Sequence, residues 1–240
     1  MFRLHGEKWL LWIDGAHHPA MNMAIDEELL SFSNTEKMAV LRFYSWDRPS
    51  MSIGYVQSYA GVANNGYSLV RRPTGGGVVF HDIDLTYTII IPSDHKIEKL
   101  GREESYYLFH ELIIKALNRI GVETELVKLT EAPKERSTMQ CFTAPVKFDV
   151  ALKDTKEHSV STKIAGAAQR RTKNGILHQG SIVIPDIHKM RDSLINSIVS
   201  VFTSESGVEF LEFIPEKQFL NKVAALAVSK YETDKWNKKY

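Results

Sequence analysis

The sequence has a single cysteine, Cys141, among its 240 residues. One thiol cannot form an internal disulfide or supply a metal site built from several cysteines. An excess of charge of one sign is also missing, because the formal net charge of +1 gives no whole-chain field for nucleic acid or an anionic membrane. Long apolar runs are absent too, since the N-terminal run Trp9–Ile13 is too short for a signal-peptide core or a membrane span. We therefore expect a cytoplasmic protein with no nucleic-acid or membrane partner.

Metal-ligand spacing is missing as well. The chain has nine histidines, but none is spaced from a cysteine or carboxylate in the manner of a metal site, so no metal is expected. With 43% hydrophobic and 25% charged residues, its composition is that of an ordinary globular protein. No repeat, low-complexity block or long linker divides it, and residues 1–240 are expected to form a single domain with no separate C-terminal accessory domain.

The apolar pattern predicts an α+β fold, a mixed and largely antiparallel sheet with helices packed against it. Runs of β-branched and aromatic residues predict strands at Trp9–Asp14, Ala39–Trp46, Met51–Tyr55, Ser68–Arg72, Val78–Phe80, Leu85–Ile91, Phe148–Leu152, Lys163–Gln169 and Gly180–Ile184. Helical periodicity predicts helices at Ala20–Ser31, Ser105–Ile120, His188–Phe202 and Glu216–Lys230. Polar residues fill the stretch 128–140 and an insertion at 154–161.

The most informative segment runs from Arg71 to Asp82 and contains three adjacent glycines. Glycine loses more backbone freedom on folding than other residues, so a glycine run is expected where the backbone has positive φ or where a ligand approaches the main chain. Arg71 and Arg72 precede the glycines and His81 follows them. Exposed N–H groups and cations suit an acyl carbonyl, a carboxylate or a phosphate. These residues alone leave open a plain hairpin turn with two solvated arginines.

Three shorter motifs add to this loop. They are Cys141-Phe-Thr-Ala-Pro145, Lys163-Ile-Ala-Gly166-Ala-Ala-Gln169 and Leu177-His178-Gln-Gly180-Ser181. Each has an ordinary explanation when taken singly: a lone cysteine is usually a small buried hydrophobe, a strand lysine is usually solvated, and a histidine near glycine usually lies in a turn. Their combination with the glycine loop favours a functional site.

The combination resembles the lipoate/octanoate transfer family, which includes lipoate–protein ligases and octanoyltransferases and is related to biotin–protein ligases. The resemblance extends over nearly the whole chain. It rests on the segments Asn22–Glu27, Leu41–Trp46, Ile53–Gln57, Arg71–Asp82, Leu85–Thr88, Lys163–Gln169, His178–Ser181 and Lys230–Trp236.

The resemblance implies an acyl pocket beneath the glycine loop, in a catalytic domain like that of the biotin and lipoate ligases. Lys163 is expected at the activated carbonyl, where positive charge stabilises the negative charge that develops on oxygen. The expected substrate-binding residues are Arg71, Arg72, Gly75, Gly76, Gly77, His81, Gly166 and His178.

Cys141 indicates which member of the family this chain resembles. A Cys-Phe-x-x-Pro motif upstream of Lys-Ile-x-Gly looks like the octanoyltransferases that work through an acyl thioester. The resemblance implies Cys141 and Lys163 as catalytic residues, acyl carrier protein as the donor, and lipoyl-domain proteins as acceptors, namely the glycine cleavage H protein and the 2-oxoacid dehydrogenase E2. Exchange of one thioester for another has little net free-energy change, so no cofactor is expected.

Two alternatives stay open. An ATP-dependent lipoate–protein ligase would use the same pocket for lipoyl-AMP, with ATP and Mg²⁺ as cofactors and lipoate or octanoate as the acyl group; Cys141 would then be a packing residue. A non-catalytic relative that binds lipoyl domains or acyl groups would be expected to have lost the lysine or the glycine loop, and both are intact.

Overall fold

The computed structural model describes residues 4–60, 62, 66–127, 147–153 and 162–240. The strands are β1 (Lys8–His17), β2 (Val40–Trp46), β3 (Ser50–Ile53), β4 (Ser68–Arg71), β5 (Val79–His81), β6 (Leu85–Pro92), β7 (Thr124–Leu126), β8 (Val150–Leu152), β9 (Lys163–Thr172), β10 (Gly175–Ile182) and β11 (Glu209–Glu212). The helices are α1 (Pro19–Glu36), α2 (Arg102–Arg119), α3 (Ile187–Val201), α4 (Lys217–Leu226) and α5 (Asp234–Asn237), with π-helical segments at Phe202–Ser206 and Ala227–Tyr231.

The strands form two sheets. The large sheet has the order β11-β1-β2-β6-β10-β9-β8-β7, and only β1 pairs with parallel neighbours, β11 and β2. The small sheet has the order β4-β3-β5, with β3 parallel to β4 and antiparallel to β5. The prediction of a mixed, largely antiparallel sheet is confirmed.

Helices cover both faces of the large sheet, and β6 shows the consequence. All eight residues of β6 are buried, because successive side chains point to opposite faces and each face has its own core. Ile89 packs with α2 and α3, whereas Ile90 packs with α1 and α4. An uninterrupted apolar run is therefore the pattern that this central strand requires.

Asp26 on α1 is fully buried, although its position beside Glu27 and Glu28 in the sequence suggests a solvated face. Its carboxylate accepts hydrogen bonds from Arg42 (2.8 Å), Thr88 (2.8 Å) and Gln179 (2.7 Å). A buried carboxylate requires this degree of pairing, because removal from water without partners is costly. The network fixes α1 to β2, β6 and β10.

Some element boundaries differ from the sequence prediction. β10 begins at Gly175, five residues before the predicted start, because Gly175 has φ +119° and closes the hairpin from β9. His178 is therefore in mid-strand and not in a turn. Edge strand β11 was not predicted, since it is mostly exposed and lacks an apolar alternation. The polar stretches 128–140 and 154–161 lie outside the described residues.

Candidate active site

The glycine loop, residues 75–77, follows β4 and lies along β9. Gly76 has φ +90°, a conformation that side chains disfavour, and a Cβ there would lie 2.8 Å from Arg72 Nη2. Arg72 donates hydrogen bonds to the carbonyl oxygens of Gly77 (2.7 Å) and Gly75 (3.1 Å). Arg72 therefore fixes the backbone of the glycine loop through hydrogen bonds to its carbonyl oxygens.

Gly54, which directly follows β3, packs against the same loop. A Cβ on Gly54 would lie 2.0 Å from the carbonyl oxygen of Gly76, so only glycine permits this contact. Thr74 donates to Gln179 Oε1 at 2.7 Å, and Gln179 in turn donates to the buried Asp26. The loop is therefore anchored to the core before any ligand binds.

A pocket lies beside the glycine loop, and its lining includes Arg72 and Ala168, the two residues that Gly76 faces. Its walls come from α1, both sheets and the loop region, and many of its lining side chains are apolar or small, including Met23, Trp46, Val79, Ala168 and Gly180. Such a lining suits an alkyl chain. Three residues predicted to bind substrate, Arg72, His81 and Gly166, line this pocket.

His81 is held by polar partners on one side of the pocket. Its Nδ1 donates to Asp84 Oδ2 at 2.8 Å, its Nε2 lies 2.9 Å from Ser52 Oγ, and its ring stacks on Trp46 with centroids 4.0 Å apart. Burial alone would raise the pKa of Asp84, but the His81 charge and the hydrogen bonds that Asp84 accepts outweigh burial and lower that pKa. Asp84 therefore stays ionised and orients the imidazole.

Lys163 is buried in an ion pair, contrary to the usual solvated strand lysine. Its Nζ lies 2.8 Å from Asp149 Oδ2, and the two side chains are 3% and 0% exposed. Gly166 makes room for this pair, since a Cβ there would lie 2.6 Å from Lys163 Nζ and 3.1 Å from Asp149 Oδ1. Gly166 lines the pocket, and the ion pair lies directly against Gly166.

Helix α2 positions Asp149 from the opposite side. Tyr106 donates to Asp149 Oδ1 at 2.9 Å and accepts from Ala167 N at 3.0 Å. Burial and the Asp149 charge raise the pKa of Tyr106, so the phenol keeps its proton. His110 Nδ1 donates to the carbonyl of Phe148 at 2.6 Å. Burial lowers the pKa of His110 to about 4, and the ring is neutral at neutral pH.

Five residues predicted to bind substrate do not line the pocket, namely Gly75, Gly76, Gly77, His178 and Arg71. His178 is fully buried, bonds through Nδ1 to Gln169 at 3.0 Å and packs on Phe109. Burial lowers its pKa well below the ordinary value, and the neighbouring His110 acts in the same direction. Arg71 is also buried and donates to the carbonyls of Gly54 (2.8 Å) and Asn237 (2.9 Å). Arg71 thereby joins the loop to the C-terminal residues.

The structure brings the glycine loop, Arg72, His81, Gly166 and Lys163 together. Cys141 lies outside the described residues. Sequence reasoning did not single out Asp149, although a carboxylate inside a predicted strand is an available signal. Tyr106, within the predicted helix Ser105–Ile120, was not singled out either, although its hydroxyl contacts the buried ion pair. Gly54 carried no signal beyond its place in the resemblance.

Among the described residues, no group of three or more histidine, cysteine, aspartate or glutamate side chains could hold a metal ion. Within the same ranges, no helix has the length and apolar character needed to cross a membrane.

Known proteins are similar to this chain in architecture and in sequence. Protein Ta0514 of T. acidophilum, solved with bound lipoic acid, superposes with a TM-score of 0.78 at 22% identity, covering 97% of this chain and 99% of that one. Octanoyltransferase LipM of Bacillus cereus is 30% identical over 282 aligned residues, covering 97% of this chain and 99% of that protein. LipM of Brevibacillus brevis is 34% identical over 190 residues, which are 74% of this chain and 66% of that protein.

A family model settles the relationship. The model of the lipoyl protein ligase A/B catalytic domain matches residues 18–214, a range that contains α1, the glycine loop, the Lys163–Asp149 pair and the whole pocket. The chain belongs to the lipoyl protein ligase A/B catalytic domain family.

Proposed function

We propose that this protein transfers an octanoyl group from a thioester donor, an acyl carrier protein, to a lysine of a lipoyl domain. The observation that carries the proposal is the buried Lys163 ammonium, which lies against Gly166 in the wall of a largely apolar pocket. The apolar lining of this pocket suits an alkyl chain, and the ammonium suits the carbonyl at the end of that chain. Relatives that match 97% and 74% of this chain are named octanoyltransferases, and a thiol is available at Cys141.

The proposed reaction has two balanced steps. The Cys141 thiolate attacks the donor carbonyl, forms an octanoyl thioester and releases the donor thiolate, which takes up a proton. The acceptor lysine amine then attacks the enzyme thioester, forms an amide and returns the Cys141 thiol. A free thiol has a pKa of about 8.5 and is only a few per cent ionised at neutral pH, and a neighbouring ammonium favours the thiolate. In both steps Lys163 stabilises the charge on the carbonyl oxygen.

Intact mass spectrometry of an apo lipoyl domain tests this function. One reaction contains octanoyl-acyl carrier protein without ATP, and the other contains octanoate or lipoate with ATP and Mg²⁺. We expect acylation in the first reaction, together with an octanoyl adduct on Cys141. Acylation in the second reaction only would overturn the transferase and identify an ATP-dependent ligase.

Gly54→Ala is expected to weaken acyl binding by about tenfold or more, because the added Cβ displaces the Gly76 carbonyl and with it the loop over the pocket. Calorimetric titration with octanoate measures the effect. Gly15→Ala is the matched control, since Gly15 is an exposed strand residue whose added Cβ has no neighbour within 4 Å. Unchanged octanoate affinity in Gly54→Ala would show that the loop position does not control the pocket.

A further inference from the structure

A cluster of cations lies beside the glycine loop, at the C-terminal end of the chain. We define the C-terminal cation patch as Arg170, Lys230 and Lys239 together with the rings of Tyr55 and Trp236. Lys239 Nζ lies 3.7 Å from the Tyr55 ring centroid and 3.9 Å from that of Trp236. Lys230 Nζ lies 4.0 Å from the Trp236 centroid, and Arg170 Cζ lies 4.5 Å from that of Tyr55. The rings hold the three cations on one surface.

Carboxylates compensate only part of this charge. Glu27 pairs with Lys230 at 2.6 Å, whereas in the part of the chain that the structure describes neither Arg170 nor Lys239 forms an ion pair. Burial lowers the pKa of Lys239, and the nearby charges of Arg71 and Lys230 also lower it. The interaction with Tyr55 acts in the opposite direction. In a chain with a formal net charge of only +1, this is a local excess of positive charge that an anion would neutralise.

The patch is connected to the reacting end of the site by β9. Lys163 Nζ lies at Gly166, and alternation along the strand places Gly166, Ala168 and Arg170 on one face. Arg170 is four positions after Gly166, which corresponds to roughly 13 Å of extended strand. The glycine loop runs alongside this part of β9. Gly76 faces Ala168, and the Pro73 carbonyl accepts a hydrogen bond from Arg170 at 3.2 Å.

A phosphopantetheine arm has matching dimensions and charge. About thirteen bonds separate its thioester sulfur from its phosphorus, which corresponds to roughly four extended residues or about 14 Å. A thioester held at Lys163 would therefore place the phosphate near Arg170. Arginine binds phosphate through its planar fork, and lysine adds a compact charge.

We propose that the C-terminal cation patch binds the phosphate of a phosphopantetheine thioester donor, an assignment that rests on the proposed transferase function. Arg170 and Lys239 contact the phosphate oxygens, and the rings of Tyr55 and Trp236 hold the lysine ammonium groups in place. Acyl carrier protein and coenzyme A both carry this phosphate, and the choice of donors in the experiment separates them.

Steady-state kinetics with three donors tests the site: octanoyl-acyl carrier protein, octanoyl-coenzyme A and octanoyl-pantetheine, which lacks the phosphate. Arg170→Gln and Lys239→Gln are each expected to raise the KM for both phosphate-bearing donors by about tenfold, with little change in kcat. The KM for octanoyl-pantetheine is expected to stay at the wild-type value. Lys235→Gln, an exposed lysine on α5, is the matched control and should leave all three KM values unchanged.

The outcomes separate this site from the function on which it rests. A KM increase of equal size for all three donors, or no increase for any, would overturn the phosphate site while leaving the transferase intact. A KM increase confined to the carrier protein would assign the patch to the protein surface of that donor and overturn phosphate recognition. No transfer from any thioester would overturn the transferase itself. Lys239→Gln, next to the C-terminal residue, serves as the second variant should Arg170→Gln fail to fold.

Discussion

Cys141→Ser is expected to reduce octanoyl transfer by at least about a thousandfold. Serine keeps the size of the side chain, but its hydroxyl is essentially un-ionised at neutral pH, and an oxygen nucleophile lacks the reactivity of a thiolate. The measurement is the rate of octanoyl-lipoyl domain formation from octanoyl-acyl carrier protein, read by intact mass. The same spectra should lack the octanoyl adduct on the variant enzyme.

Two controls make the Cys141 result specific. Thr143→Ser changes a neighbouring residue of the same motif and should keep the wild-type rate. Because Cys141 is the only cysteine, the adduct in the wild-type protein has a single thiol to which it can be assigned. A Cys141→Ser protein with the wild-type rate would eliminate the enzyme-thioester mechanism and demote Cys141 to a packing residue.

Lys163→Met is expected to lower the transfer rate by about 10²- to 10³-fold, the usual result of removing a charge-stabilising donor at a reacting carbonyl. The single variant should also be unstable. Its Asp149 carboxylate, 0% exposed, loses a charge partner that lies at 2.8 Å, and breaking such a pair costs about 3–5 kcal/mol. The sequence alone suggests the opposite, namely that a strand lysine contributes little to stability.

The double variant Lys163→Met/Asp149→Asn separates the two effects. Removing both charges eliminates the uncompensated carboxylate, and the amide oxygen that replaces it can still accept the hydrogen bond that Tyr106 donates to Asp149 in the wild-type protein. We expect urea unfolding to show recovery of most of the lost stability, while transfer stays as low as in the single variant. Recovery of activity together with stability would show that Lys163 has a structural role only.

Local pattern predicted most of the secondary structure but could not assign roles within a motif. Arg71 and Arg72 are adjacent and chemically identical, yet Arg72 lines the pocket and Arg71 holds the C-terminal residues. Successive strand residues point to opposite faces, and which face meets the pocket depends on partners distant in sequence. His178 shows the same limit, because its mid-strand position on β10 turns it toward Phe109 while its neighbour Gln179 lines the pocket.

The sequence by itself determined the family and the fold class, and it predicted the glycine loop and Lys163 as parts of one site. These follow from residue types that few other arrangements need: adjacent glycines, a Lys-Ile-x-Gly motif and apolar periodicity. Only the tertiary structure decided that Lys163 is paired with Asp149 and that cations gather around Tyr55 and Trp236. Such pairings join residues from different elements, and their energies depend on burial and distance, which appear only once the chain is packed.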